Sequence, residues 1–453
     1  MADPDVVTIE TPPLGDRSYL VHDGSVALVI DPQRDTDRVE AALAGAGVRL
    51  TLVAETHVHN DYVSGGPALA GRHGAAYLVN AADDVAVEHV GVADGDVLRV
   101  GEMTVRVVAT PGHTDNHVAY VVSRPGGRQA VFSGGNLLYG SVGRTDLVDP
   151  ARTAALTHTQ YRSARALAAE AGDGATLHPT HGFGGFCSSG PATEQQASTI
   201  GEQRRDNHVL TDGDEDHFVE QLLAGLTEYP TYYAHIAPLN RAGAGEPDLA
   251  VPEPIDPAEL RRRIGEGQAV LDLRNRAAFA GGHLAGTLNF EHGQMFTTFV
   301  GWTLPWGEPF TLVGSREQVE AAIRDLSRIG IDSPDAAVGE DVTALADRPV
   351  TSYPRVDWPE VAQAQRAGTL DVLLDVRRDE EYGTDHLPGA VNIPLHQLRE
   401  RLDEVPGGRV WVHCGSGYRS AIAASMLQRA GRDVVLIDAR YADVTGAGLQ
   451  TRH

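Results

Sequence analysis

The chain has no lysine: all 37 of its basic residues are arginine, in a sequence of 453 residues with a net charge of −25. Schiff-base chemistry and phosphate-loop binding both need a lysine amine, so those reaction classes are excluded. The acidic balance argues against nucleic acid or an anionic membrane as partner, because either would need a basic face. Only two cysteines occur, Cys187 and Cys414. Two are too few for a disulfide framework and natural for a reducing compartment. No apolar run is long enough to span a bilayer, and Met1 to Asp5 lacks the basic-then-apolar order of a secretory leader. These features predict a cytoplasmic protein. The length predicts two or three domains.

Short apolar runs bounded by Gly, Asp and Pro predict strands over 6–9, 18–21, 26–30, 50–54, 76–79, 97–100, 103–109 and 118–122. Helical spacing predicts helices over 37–45, 65–72 and 150–171. Histidines collect on the turns that leave such strands. One turn reads Glu55-Thr56-His57-Val58-His59-Asn60-Asp61-Tyr62, another Thr110-Pro111-Gly112-His113-Thr114-Asp115-Asn116-His117, and a later one Thr176-Leu177-His178-Pro179-Thr180-His181-Gly182. Ser133-Gly134-Gly135-Asn136 is a further strand-end turn. Turns of this kind converge on one sheet edge, where two His at i and i+2 and an Asp two further on suit a metal ion.

Residues 230–250, rich in Gly, Pro and Ala, read as the exit from a first domain and a linker, with Tyr232 and Tyr233 as wall packing or a stacking surface. Beyond them the chain repeats itself. Asp272-Leu273-Arg274, Phe279, His283 and Asn289 recur as Asp375-Val376-Arg377, Tyr382, His386 and Asn392. From 272 to 283 and from 375 to 386 the step is 11; from Asp to Asn it is 17 in both, and the copies lie 103 apart. Offsets this regular mean two copies of one parallel α/β domain.

The copies differ where chemistry would sit. In the second, a strand runs into Cys414-Gly415-Ser416-Gly417-Tyr418-Arg419-Ser420 and then a helix; in the first, Val313-Gly314-Ser315 takes that place. A Gly-rich turn between strand and helix points backbone N–H groups inward as an anion-binding nest. Cys414 is thereby marked as a nucleophile, with Arg419 as a catalytic partner whose positive charge favours the thiolate and Gly415, Ser416, Gly417, Tyr418 and Ser420 forming the cradle.

The motifs His57-x-His59-x-Asp61, Pro111-Gly112-His113-Thr114, Phe132-Ser133-Gly134 and Pro179-Thr180-His181-Gly182 resemble the metallo-β-lactamase fold. Gly143-Arg144-Thr145-Asp146 resembles its persulfide dioxygenase and glyoxalase II branch. The runs 181–187, Ser198-Thr199-Ile200-Gly201 and Pro238-Leu239-Asn240-Arg241 look like persulfide dioxygenases fused to rhodanese domains. This resemblance implies an α/β chain with an αββα sandwich over 1–240, a linker over 241–252, a rhodanese-like domain without cysteine over 253–350 and a second one, with Cys414, over 351–453. Both rhodanese-like domains would have parallel sheets.

The same resemblance implies Fe(II) held by His57, His113 and an Asp after Phe132-Ser133-Gly134. Gly135 stands there instead, and Tyr62 stands where the family motif has a histidine. His59, Asp61 and His181 are the substitute ligands at hand; the alternatives to iron are Zn(II) or no metal. Four residues separate Cys414 from Arg419. That is the cradle length of rhodanese-type sulfurtransferases; Cys-x5-Arg phosphatases have one more. The function implied is oxidation of a low-molecular-weight thiol persulfide to sulfite, with sulfur transfer through a Cys414 persulfide to or from thiosulfate or sulfite. Cys187 is a sulfur relay in that scheme, or a plain buried thiol. The alternatives are a sulfurtransferase or persulfide-binding protein whose first domain is silent, and a thioester hydrolase of the glyoxalase II type. A homo-oligomer is open.

Overall fold

The computed structural model describes residues 3–339, 341–346 and 350–452. The outer ends of the sequence-based domains, at residues 1 and 453, and the stretch 347–349 before the boundary at 350 lie outside the described residues. The chain divides into two compact units, 1–248 with 326–330, and 249–325 with 331–453.

The first unit holds two six-stranded sheets. One contains β1 (Asp5–Thr11), β2 (Asp16–His22), β3 (Val26–Ile30), β4 (Arg49–Ala54), β5 (Ala76–Asn80) and β6 (Val90–Val92), neighbours in that order. β1 to β3 are antiparallel and β3 to β6 parallel. The other contains β7 (Val97–Val100), β8 (Met103–Ala109), β9 (Val118–Ser123), β10 (Ala130–Gly134), β11 (Thr176–Pro179) and β12 (Ser198–Thr199). Alternation of side chains along each strand explains the layering. Leu28 and Ile30 point into a core shared with Val105, Val107, Tyr120 and Phe132 of the second sheet. Ala27 and Val29 point the other way, against Val39 and Leu43 of helix α1 (Asp37–Ala46) and Leu69 of α2 (Gly66–His73). On the far side, Val121, Val131 and Leu177 pack on Tyr161, Ala164 and Leu167 of α3 (Thr153–Glu170). Both faces of each sheet are thus covered, which is why the central strands read as nearly continuous apolar runs.

The stretch read as the exit from the first domain is partly helical. Within 230–250, Tyr233–Ala242 is a helix, with Pro238 inside it. Tyr233, Ile236 and Ala237 are buried. A Pro- and Gly-rich composition suggested a linker, but apolar residues at helical spacing bury one face, and that outweighs the local cost of Pro.

The second unit contains two parallel sheets. β13 (Ala269–Asp272), β15 (Leu288–Asn289), β16 (Phe310–Gly314) and β17 (Asp335–Val338) form one, in the order β15-β13-β16-β17; β14 (His283–Leu284) pairs with β18 (Val350–Thr351) apart from it. β19 (Arg355–Val356), β20 (Val372–Asp375), β21 (Val391–Asn392), β22 (Val410–His413) and β23 (Val434–Ile437) form the other, in the order β19-β23-β22-β20-β21. The repeat is visible bond by bond. Arg274 and Arg377 each fork onto the Asp two residues before them. Asn289 and Asn392 each donate to the carbonyls of that Asp and Arg. His283 stacks on Phe279 at 3.7 Å, and His386 on Tyr382 at 4.1 Å. No helix among the described residues is long and apolar enough to cross a membrane.

Leu28→Ala removes a fully buried side chain from the sandwich core and is expected to cost about 3 kcal/mol. Val97→Ala, at a position 58% exposed, should change stability by less than about 0.5 kcal/mol. Urea unfolding followed by circular dichroism checks both.

Candidate metal centre and cysteine loop

In the first unit the turns after β4, β8 and β11 bring His57, His113 and His181 together. One ring nitrogen of each lies within 4.8 Å of the others. His57 Nε2 and His181 Nε2 are 3.4 Å apart. All three rings are buried. Each is oriented by an acceptor on its Nδ1. His113 Nδ1 donates to the carbonyl of Arg144 (2.6 Å) and His181 Nδ1 to Asp16 Oδ1 (2.8 Å). His57 Nδ1 lies 2.9 Å from Thr56 Oγ1. Because Thr56 Oγ1 gives its own proton to Asp31 Oδ2 at 2.8 Å, it accepts from His57. Carbonyl, carboxylate and occupied hydroxyl thus turn three Nε2 atoms toward one point, as an acceptor on Nδ1 does for a metal-binding histidine. His113 Nε2 is buried and has no hydrogen-bond partner among the described residues.

His59 is held elsewhere. Its Nε2 lies 2.9 Å from Tyr62 Oη, 3.3 Å from Asp31 Oδ1 and 3.5 Å from Glu55 Oε2. The rings of His59 and Tyr62 stack at 4.3 Å. Burial would lower the His59 pKa, but Asp31 and Glu55 outweigh it and raise it to about 9. Asp61 lies between the two groups, its Oδ2 3.2 Å from His181 Nδ1 and its Oδ1 4.0 Å from His59 Nδ1. Burial is likewise overcome at His181, where Asp61 and Asp16 raise the imidazole to about 10. Burial, with cationic His181 nearby, pushes His113 down to about 3.

Two further groups of ligand type meet here, His59 with Asp61 and His181, and Asp31 with Glu55 and His59. The iron set implied by the resemblance does not fit. Gly135 has no side chain, and a Cβ placed on it would lie 2.2 Å from Cδ2 of His113. The His113 ring occupies the space a carboxylate at 135 would need. The backbone N–H of Gly135 donates to His117 Nε2 at 3.0 Å, and His117 stacks on His57 at 4.9 Å.

Cys187 is buried, with its thiol pKa pushed well up by burial and by Asp61. A cavity of about 370 Å³ adjoins the cluster, lined by Val58 and Asn60 of the first His turn, Thr114 to Asn116 of the second, and Asp83, Tyr229, Tyr233 and Arg241. The helix Tyr233–Ala242 forms part of this wall and also clamps the His57 turn. Asn240 donates to the carbonyls of His59 (3.0 Å) and Tyr62 (2.9 Å) and accepts from the Ser64 N–H (2.8 Å). Asp16 was not among the residues singled out from sequence, because its partner His181 is remote in the chain. Asp31 had a weak signal, as the Asp ending a predicted strand. Glu55, His117 and Asn240 stood in the quoted motifs with no role assigned to them.

In the second unit Cys414 follows β22, and the helix Tyr418–Arg429 begins after Gly417. The Gly417 N–H donates to Cys414 Sγ at 3.2 Å, and Ser420 Oγ lies 3.5 Å from it. Gly417 has φ +94°, and a Cβ there would meet Asp438 Oδ1 at 2.0 Å, so only glycine fits. Arg419 does not point a free charge at the sulfur. Its guanidinium forks onto Glu381 at 2.5 and 2.8 Å. Tyr418 Oη donates to the carbonyl of Glu291 at 2.8 Å. Arg276 bridges Glu291 and Asp438, 2.7 Å from each. The middle segment therefore buttresses the cysteine loop. It has no such loop itself. Val313 pairs with Asp272 as His413 pairs with Asp375, which puts Gly314 where Cys414 stands. The next helix starts at Arg316, two residues after Gly314, whereas Tyr418 is four after Cys414. Two missing residues remove the nest.

Comparison with known proteins finds a family model over part of each unit. The metallo-beta-lactamase superfamily model matches residues 12–181 and the rhodanese-like domain model residues 357–445. A hydroxyacylglutathione hydrolase of Acidiphilium cryptum (strain JF-5) is 39% identical over 113 residues, 24% of this chain and 46% of that one. That of Cupriavidus metallidurans is 35% identical over 150 residues, 31% of this chain and 56% of the relative. The chain thus spans about half the length of the curated relatives it matches. A solved metallo-beta-lactamase from Staphylococcus aureus subsp. aureus COL superimposes with a TM-score of 0.65 and 25% identity, covering 74% of this chain and 99% of that one. ETHE1 from Myxococcus xanthus superimposes with a TM-score of 0.45 and 27% identity, over 52% of this chain and 98% of that one. The chain therefore carries a metallo-β-lactamase domain, matched over residues 12–181, and a C-terminal rhodanese-like domain, matched over residues 357–445.

Proposed function

We propose that the chain is a sulfurtransferase of sulfane-sulfur metabolism, working in the cytoplasm, with Cys414 as the sulfur carrier. The observation that carries this reading is the Cys414 loop: a sulfur at a helix N-terminus, met by the Gly417 N–H. The cysteine sulfur, as thiolate, attacks the outer sulfur of thiosulfate or of a low-molecular-weight thiol persulfide. A new S–S bond forms to Cys414, the donor's S–S bond breaks, and its electron pair leaves with sulfite or the donor thiolate. A nucleophilic acceptor then takes the outer sulfur and regenerates Cys414. Gly415, Ser416, Gly417, Tyr418 and Ser420 shape the cradle.

In this reading residues 1–240 are the metallo-β-lactamase-type domain, 241–252 the connection, 253–350 a rhodanese-like domain that has lost its cysteine, and 351–453 the working one. The middle domain positions the loop through Arg276 and Glu291. The first domain does not run persulfide oxidation on the family's iron set, because Gly135 and the His113 ring leave no place for its carboxylate. Its cavity takes the thiol part of a persulfide or thioester. A thioester hydrolase activity of the glyoxalase II type is the second reading, favoured by the hydrolase relatives.

Arg419 and Glu381 hold the loop electrostatically. Burial alone would raise the Glu381 pKa, but Arg419 overrides it and holds the carboxyl at about 2. A carboxylate depressed in the folded state stabilises it above its unfolded pKa, and that contribution is lost as pH falls toward the folded value.

Cys414→Ser is expected to lower thiosulfate:cyanide transfer by about 10³-fold or more, while an unchanged rate would remove Cys414 from this role. Oxygen uptake with glutathione persulfide should stay at the background rate; uptake in proportion to persulfide would restore the dioxygenase reading. Glu381→Gln should cost about 2 kcal/mol at pH 7, and its difference from the parent should shrink as pH falls from 5 toward 2. Urea unfolding followed by tryptophan fluorescence measures it, since Trp302, Trp306, Trp358 and Trp411 all lie in the second unit.

A further inference from the structure

The two halves of the second unit line a cavity of about 290 Å³ that the cysteine chemistry does not use. Its walls follow from local periodicity. Leu288 and Phe290, two apart in an extended segment, both face it. Asn289 between them turns away, to the carbonyls of Asp272 and Arg274. The other half supplies Leu402, and Met426 and Arg429 from the last turn of the helix Tyr418–Arg429. The Asn289 N–H donates to Ser425 Oγ at 3.0 Å, which seats that helix on the end of β15. The helix begins at the cysteine loop and ends at the cavity. Its 12 residues rise about 18 Å, so the two places are separate.

Charge at the cavity is unbalanced. Two guanidinium groups, Arg399 and Arg429, and one carboxylate, Glu308, line it. Arg399 forks onto Glu308 with both contacts at 3.2 Å. Arg429 has no carboxylate partner. Its Nη2 donates to the carbonyls of Gly267 and, at 3.3 Å, of Gln268. Its Nε and Nη1 have no hydrogen bond among the described residues. Burial, and then the charge of Arg399, push the Arg429 pKa below the ordinary arginine value, with Glu308 acting the other way. A half-buried cation beside a second cation is stabilised by an anion that accepts its remaining N–H groups.

We propose that this cavity binds a small monocarboxylate with an apolar tail, its carboxylate on Arg429 and its tail against Leu288, Phe290, Leu402 and Met426. The unbranched, polarisable Met426 side chain adapts to such a tail. The volume lies at the small end of the range for ligand pockets, roughly 300–1,000 Å³, so the acid is a small one. The site does not depend on the chemistry assigned to Cys414.

Isothermal titration calorimetry of the full chain with octanoate is expected to show one saturable site. Octanol has the same tail without the charge, and acetate has the charge without the tail. Each should bind at least about 10-fold more weakly. Arg429→Ala should weaken octanoate binding by about 10-fold, and Arg429→Lys should recover part of that loss. Met426→Trp and Leu402→Trp fill the cavity from two positions and should abolish binding. Cys414→Ser should bind octanoate as the parent does, which separates this site from the cysteine loop. Circular dichroism confirms the folding of each variant. Absence of saturable binding overturns the site. So does octanol binding as tightly as octanoate, an unchanged affinity in Arg429→Ala, binding kept in both tryptophan variants, or binding lost in Cys414→Ser. If Arg429→Ala fails to fold, the octanoate-to-octanol ratio in the parent and the tryptophan variants decide.

Discussion

The buried carboxylate of Asp31 ties the ends of three strands into one site. It follows β3 with φ +52°, unusual for a residue with a side chain. Its oxygens accept from the Thr56 N–H at 2.7 Å and from the hydroxyls of Thr56 and Thr180, and lie beside His59. Its own carbonyl accepts from Tyr62 Oη at 3.2 Å. Burial would raise its pKa, yet His59 and these hydrogen bonds lower it. One charged group thus sets the His57 turn, the His181 turn and the direction of His59. A fully buried carboxylate persists only when its lone pairs are filled this way. The strained backbone at Asp31 is retained because every neighbouring turn depends on where it points.

Around that anchor, two residues shape the packing. Gly135, without a side chain, leaves room for the His113 ring, and Tyr62 stacks on His59. In a close-packed interior each of these contacts fixes where the neighbouring ring can lie.

The second unit shows the opposite relation between sequence and chemistry. Its two halves share the same Asp–Arg fork, Asn bridge and aromatic–histidine stack, 103 residues apart, yet only one half has a cysteine loop. The framework bonds hold a strand, a turn and a helix start in place. The chemistry needs two more residues in one turn and a glycine at 417. The half without the turn contributes through Arg276 and the Glu291 carbonyl, which meet Asp438 and Tyr418 beside it.

Much of this was legible in the chain by itself. Apolar runs marked the strands, because strands covered on both faces need apolar residues on both. The repeat showed through fixed steps, because the Asp–Asn step of 17 is a bond between paired strands in both copies. The Cys414 cradle was legible because strand, glycine turn and helix are contiguous. The helix at Tyr233–Ala242 was not legible, because the burial of Ile236 is not visible in a Pro-rich composition. What only the tertiary structure decided is which side chains meet across the sandwich. Asp16 and His181 are 165 residues apart, and Asn240 reaches the His57 turn from 181 residues away. His59 and His181 look equally eligible in a motif. Their roles separate only when Tyr62, Asp31 and Glu55 surround one ring and Asp16 orients the other.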